Sequence, residues 1–539
     1  MRPHAQNAPE RNRRRNRYLS LLLALALFAS LTACGGPSSN DGADEKIINV
    51  AFTTAWGSFN PYYSNASTMY EMSLYDKIYD KLAFTDLAGT VILPRAADSW
   101  ESADDGLSII FHLNPEASWS DGVKATAHDW EFTARLLADP RSAFSTRVFT
   151  QALSGTDGVG AMIDAESFGA SAIDDATFKL TFKNPFSPED FILNYNRQFL
   201  VLPEHLLKNV SPANILDAEF WRNPIGSGPC VYASQVMGSE MTLLPNPYYH
   251  LKGGNWDKLL LRVVDSPTRI GALLSGDVDH IVLGNSISPE DKPIAESNGL
   301  IVRDAEVRNF FMEVLINEHN IPDERIRQAL HYAVNKRAIV DASSKDIGDP
   351  VYSYEMPTSD YYDPSLEFTP DVDKAKALLR EAGYDGETYT FAFAAKRESL
   401  AALLAQQWTQ AGINIKMETV DVATMFSGLQ NGVYDLGLSG HSPSAYALWF
   451  EAEFPANNHS KDYVPDPTRQ DYVSRIQAEM DRDAKIALVK EYQQYLAEKT
   501  WFIPIFLSGE YWVESQRVSG IRNAASLMCN DNVWEWRVN

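Results

Sequence analysis

The chain has 539 residues, with 47 Lys and Arg against 71 Asp and Glu, for a formal net charge of −24. That balance argues against nucleic acid, which needs a basic footprint, and against electrostatic adhesion to anionic lipid; it suits solubility outside the cell. The three cysteines include no pair at metal-ligand spacing, and the ten histidines are scattered.

The N-terminus reads as an export signal. Arg11, Arg13, Arg14, Arg15 and Arg17 form a basic head before the apolar core Leu19–Ala29, and small residues follow. At about 11 residues, the core is too short for the ~20 that span hydrocarbon. Residues 1–33 hold six Arg and one Glu, net +5, which leaves the remainder near −29. Leu31-Thr32-Ala33-Cys34 resembles the bacterial lipobox, which implies acylation of Cys34 as the first mature residue; an ordinary cleaved signal is the alternative. More than one acyl chain gives stable anchoring. Residues 34–45, polar and rich in Gly, Ser and Asp, read as a flexible tether. The roughly 500 residues beyond exceed one hydrophobic core, so two or more lobes are expected.

Further along, strands and helices alternate. Thr126 is placed to cap a helix over "TAHDWEFTARLL", with Asp129 three residues on as a partial capping box. "IPDERIRQALHYAVNKRAIV" puts Ile326, Ala329, Leu330 and Ala333 on one helical face. In "FTPDVDKAKALLREAGY", Thr369 is the expected cap, Pro370 fits the first turn and Gly383 ends the helix. "TYTFAFAA" alternates as a strand does. The helix "LAALLAQQWTQ", Gly412 and the strand "INIKME" then repeat the order, the signature of an α/β body.

Nucleophile, metalloprotease, phosphate-loop and dinucleotide motifs are absent, so no catalytic residue, metal or cofactor is expected. A hydrolase built on two carboxylates brought together by the fold remains a remote alternative.

Several segments, in order, carry a family resemblance. "LPRAADSWE" (93–101), "FHLNPEASWSDGVKATAHDWEFT" (111–133), "NPIGSGPCVY" (223–232), "LLPNPYY" (243–249) and "ALLSGDVDHI" (272–281) come first. "NFFMEVLIN", "DERIRQALHYAVNKRAIV", "DVDKAKALLREAGY", "NGVYDLGLSG" and "WFIPIF" follow. Together they resemble the family 5 extracellular solute-binding proteins, the dipeptide-, oligopeptide- and nickel-binding components of ABC importers.

The resemblance implies an α/β fold of the periplasmic-binding-protein-like type II, with three lobes and a ligand cleft between lobes I and III. Lobe I would comprise 46–80, 200–305 and 500–539; lobe II, 81–199; lobe III, 306–499. The chain would act as a monomer held by lipid on the outer face of the cytoplasmic membrane, at the cell surface or in the periplasm. It would close on a small solute, a peptide foremost, and deliver it to ABC permease and ATPase subunits. A nickel chelate, an oligosaccharide or another small solute is the alternative cargo.

Ligand contacts are expected at Trp56, in the loop after the first strand, and at Asn309 and Phe310, where lobe III begins. His441, Ser444, Tyr446 and Trp449 belong to a segment expected to overhang the cleft. Peptide-binding relatives hold the α-amino group with an aspartate there. Here Ser444 stands in its place, and Leu438 replaces an upstream arginine of some relatives. The family map puts both Cys230 and Cys529 in lobe I, which allows a disulfide between them, with two free thiols as the alternative. The "GSGP" glycines, Trp100 and Trp119 are expected to be structural.

Overall fold

The computed structural model describes residues 45–52, 55–62, 69–85, 92–103, 105–142, 144, 148–194, 199–265, 268–281, 287, 291–304, 310–343, 348–441, 466–509, 511–522 and 532–539. The chain divides into Met1–Glu45 and Lys46–Asn539. Of the first unit only Glu45 is described, so the expected signal, Cys34 and most of the tether lie outside the described residues.

The second unit is mixed α/β and contains three larger sheets. A seven-stranded sheet runs in the order Ile301–Asp304, Tyr511–Glu514, His280–Ile281, Ile47–Phe52, Lys258–Val263, Glu240–Pro245, Cys230–Val236. Ile47–Phe52 lies parallel to both of its neighbours. Its residues Ile48, Val50, Ala51 and Phe52 are all buried, as suits a strand covered on both faces.

An antiparallel four-stranded sheet runs Ala97–Ser102, Ser108–Leu113, Thr177–Thr181, Ala170–Asp174. The helix Ala127–Ala138 packs on it. The Thr126 N–H donates to Asp129 Oδ2 at 2.9 Å, the expected half of a capping box. Trp119 Nε1–H donates to the same oxygen at 3.3 Å, and the Glu204 N–H to Asp129 Oδ1 at 2.9 Å. One apolar cluster joins this sheet to the seven-stranded one, since Ile109, Phe111 and Phe178 belong with Val50, Leu259 and Leu261.

The glycine loop at 226–228 is structural, as expected. A Cβ on Gly226 would sit 1.8 Å from the Ile78 carbonyl oxygen, and one on Gly228 2.7 Å from the Ile78 carbonyl carbon. The Gly228 N–H donates to that oxygen at 2.9 Å, so the loop lies flat against the end of the helix Met69–Ile78.

The six-stranded sheet runs Gly348–Pro350, Phe502–Ser508, Phe310–Ile316, Leu436–His441, Thr388–Phe393, Asn414–Thr419. The crossover helix Glu398–Gln410 makes Thr388–Phe393 and Asn414–Thr419 parallel. Side-chain alternation divides its strands between two cores: Met312, Val314 and Ile316 face one cluster, Phe311 and Leu315 the other. Neither cluster contains residues of the other two sheets.

Three expectations change. The cap of Val372–Ala382 is Asp371, whose Oδ1 accepts the Lys374 N–H at 2.8 Å; Thr369 lies two residues upstream. The helical run near 321–340 is two helices, Glu324–Tyr332 and Lys336–Ser343, although Ile326, Ala329, Leu330 and Ala333 are all buried as expected. Finally, Phe502–Ser508 pairs with Phe310–Ile316 in the six-stranded sheet. The chain therefore rejoins the seven-stranded sheet at Tyr511 rather than near residue 500.

Candidate functional site

The chain leaves the seven-stranded sheet at Asp304, enters the six-stranded sheet at Phe310, leaves it at Ser508 and returns at Tyr511. Registers fix which edges meet there. Phe310 pairs with Ser508, and Phe311 with His441, the last residue of a strand parallel to Thr388–Phe393. Asp304 pairs with Tyr511, next to the carboxyl ends of His280–Ile281 and Ile47–Phe52. Both sheets thus turn the carboxyl ends of their parallel strands toward the crossing, the place where open α/β sheets present ligand sites.

On the seven-stranded side stands Trp56, 6% exposed. Its Nε1–H donates to Gln235 Oε1 at 2.6 Å, and its ring meets Phe52 edge-on at 6.3 Å. Its one polar atom is engaged within the protein, so Trp56 supplies an apolar wall.

On the six-stranded side, Phe310 opens its strand with a half-buried ring, and the Arg397 guanidinium lies 5.9 Å above that ring. A Cβ on Gly440 would come within 2.8 Å of both Phe310 Cε1 and Met312 Sδ, so the glycine makes room for the ring. Arg397 follows the alternating strand Thr388–Phe393, and its Nη1–H donates to the Leu438 carbonyl oxygen at 2.8 Å. No carboxylate among the described residues lies within ion-pair distance of it. Burial lowers its pKa, opposed by Glu313. Glu313, 3% exposed in the middle of Phe310–Ile316, accepts a hydrogen bond from the Tyr354 hydroxyl at 2.5 Å.

Of the expected contacts, Phe310 and the His441 backbone share this edge, and Trp56 borders the opposite one. The His441 side chain, Asn309, Ser444, Tyr446 and Trp449 lie outside the described residues. Arg397 and Glu313 were missed. The signal for Arg397 was a cation directly after the alternating "TYTFAFAA"; Glu313 stands as the single charge inside "FFMEVLI". Cys230 is buried, its thiol pKa pushed up to about 12 by desolvation, and Cys529, the other half of the possible bridge, is outside the described residues. Among the described residues no group of three or more His, Cys, Asp or Glu is placed to hold a metal ion. No helix among them is long and apolar enough to cross a membrane.

The family described as bacterial extracellular solute-binding proteins, family 5 Middle, matches residues 91–450. The chain belongs to this family. The periplasmic oligopeptide-binding protein OppA of Salmonella typhimurium is 23% identical over 533 residues, covering 89% of this chain and 93% of that protein. The ABC transporter substrate binding protein CtaP of Listeria monocytogenes superposes with a TM-score of 0.79 at 21% identity, covering 92% and 99% of the two chains. The oligopeptide-binding protein AppA of Bacillus subtilis, solved with a nonapeptide, gives a TM-score of 0.71 at 20% identity over 92% and 99%. The fold is the type II periplasmic-binding-protein arrangement of several lobes.

Proposed function

We propose that this solute-binding protein is the lipid-anchored, extracytoplasmic receptor of an ABC importer, held through Cys34, and that it captures a peptide or peptide-sized solute by hinge closure. The observation that carries the reading is the crossing at 304–310 and 508–511, where two sheets with separate cores present their carboxyl edges to each other. In this reading lobe I comprises 46–80, 200–305 and 511–539, lobe II 81–199, and lobe III 306–509. A ligand touching both Trp56 and the Phe310–Arg397 edge favours the closed state, and closure needs no covalent step.

Arg397 suggests which end of the ligand it meets. Its guanidinium is half-buried, steered by a ring and a carbonyl, and without a carboxylate partner among the described residues. A ligand carboxylate supplies that partner through a charge-assisted, forked hydrogen bond. Relatives crystallised or named with peptides support the peptide class.

A thermal-shift screen of the mature protein against peptides, sugars and metal chelates tests the proposal, since ligand that binds only the folded state raises Tm. The expected hit is a peptide with a free C-terminal carboxylate, its affinity reduced about tenfold or more by C-terminal amidation or by Arg397→Gln. A hit unaffected by both removes Arg397 from the site. Turnover of a hit replaces the receptor reading with a hydrolase.

A further inference from the structure

The four-stranded and six-stranded bodies meet through a buried ion pair that the cleft does not require. Asp190, in the helix Pro188–Asn194, lies 2.5 Å from the Nζ of Lys485, near the start of the helix Arg482–Lys499; both side chains are 4% exposed. Ser187 Oγ stands 3.4 Å from the same Nζ and also accepts the Asp190 N–H at 3.1 Å. Around the pair, Met480 packs against Gly106 and Pro185: a Cβ on Gly106 would lie 3.1 Å from Met480 Sδ and 3.2 Å from Pro185 Cβ. Arg482, bound to Asp360 at 2.7 Å, acts electrostatically on Glu189. Apolar packing and complementary charge therefore sit side by side, and the ion pair joins residues 295 apart in sequence.

The position of this contact matters. The helix Arg482–Lys499 leads into Phe502–Ser508, the strand that ends at the crossing, and its Leu488, Val489, Tyr492 and Leu496 share an apolar cluster with Phe502 and Leu507. Lys485 is thus held against lobe II from the helix that leads into the crossing strand. Lobes I and II share one apolar cluster, whereas lobe III has cores of its own. Lobes I and II accordingly move together, and when lobe III swings away the Lys485–Asp190 contact has to part.

We infer that Lys485, Asp190 and Met480 form a latch that closes lobe II on lobe III independently of ligand and so sets the resting proportion of closed receptor. This rests on the hinge-closure reading. The pair is desolvated only in the closed form. Replacing one partner leaves a buried charge there, whereas replacing both with apolar groups does not. Such a latch raises apparent affinity by raising the fraction of receptor already competent to bind, without touching the ligand.

Pulsed EPR on the mature, ligand-free protein tests this, with spin labels on unnatural amino acids at two exposed pairs. Ile173 with Val433 reports lobe II against lobe III; Leu274 with Val433 reports lobe I against lobe III. Lys485→Met and Asp190→Asn are each expected to lower the short-distance population about tenfold in both pairs, and Lys485→Met/Asp190→Leu to restore it. Met480→Ala, at a partly exposed site that tolerates truncation, moves the populations the same way by a smaller factor and serves if a charge variant fails to fold. Two populations whose proportions are the same in the wild type and all variants overturn the latch and leave the hinge standing. One fixed Leu274–Val433 distance throughout overturns the hinge itself.

Discussion

At the scale of single residues, His280 is placed to make the fold acid-sensitive. It is 1% exposed, stacked on Trp512 at 6.1 Å and 8° and edge-on to Trp536 at 5.8 Å; neither ring nitrogen has a hydrogen-bond partner among the described residues. Burial first, and then the nearby Lys77, push its pKa down to about 3. His331, half-buried with its ring 4.8 Å from that of Phe368, is shifted in the same direction by desolvation. A depressed histidine binds its proton in the unfolded chain before the folded one. Its stability contribution is therefore complete above about pH 6.5 and is lost as pH falls toward 3, at up to ~1.4 kcal/mol per pH unit per group. Urea unfolding at pH 7 and pH 5 should show a clear loss for the wild type. His280→Phe, which keeps the ring stacking and removes two unpaired nitrogens, should show a smaller loss and near-neutral stability at pH 7. An unchanged difference between the two pH values assigns the acid sensitivity elsewhere.

At the scale of elements, the helix Val372–Ala382 separates what pattern reveals from what it leaves open. Its apolar stripe and its end at Gly383, with φ of 74°, were legible because period and left-handed termination are local properties. Its start was not, because Thr369 and Asp371 are both good caps and only the backbone path of the intervening Pro370 decides between them. Asp371→Ala should cost about 1 kcal/mol in chemical denaturation and Thr369→Ala only a few tenths; the reverse ranking places the cap at Thr369. The same limit governed the site. Phe310 was found from where its strand begins, a local signal. Arg397 acquires its role from the Leu438 carbonyl 41 residues away and the Phe310 ring 87 residues away, contacts that no local pattern contains. The return of the chain at Tyr511 was misplaced for a related reason. "WFIPIF" reads equally well as a strand of either sheet, and only its pairing with Phe310–Ile316 assigns it.

At the scale of the whole molecule, the division of the apolar cores determines how the protein comes apart. The clusters around Val314 and Leu315 draw only on the segment between Phe310 and Leu507, and the one around Val50 and Phe111 only on the rest of the chain. Among the described residues, the two chain crossings and the contact centred on Lys485 and Asp190 stand between them. A contact of that extent couples two cores far less strongly than a shared cluster does, so the ligand-free protein should unfold in more than one cooperative step. Scanning calorimetry is expected to give a van't Hoff enthalpy below the calorimetric enthalpy. Lys485→Met should separate the component transitions further, because it loosens the contact without entering either core. A bound solute that touches both edges should draw them together, since its free energy is lost when either body unfolds. A single transition with equal enthalpies, in the wild type and in Lys485→Met alike, means that the two bodies are one cooperative unit. The freedom of lobe III to swing would then have to come from bending within a common core, which the separation of the clusters around Val50 and Val314 argues against.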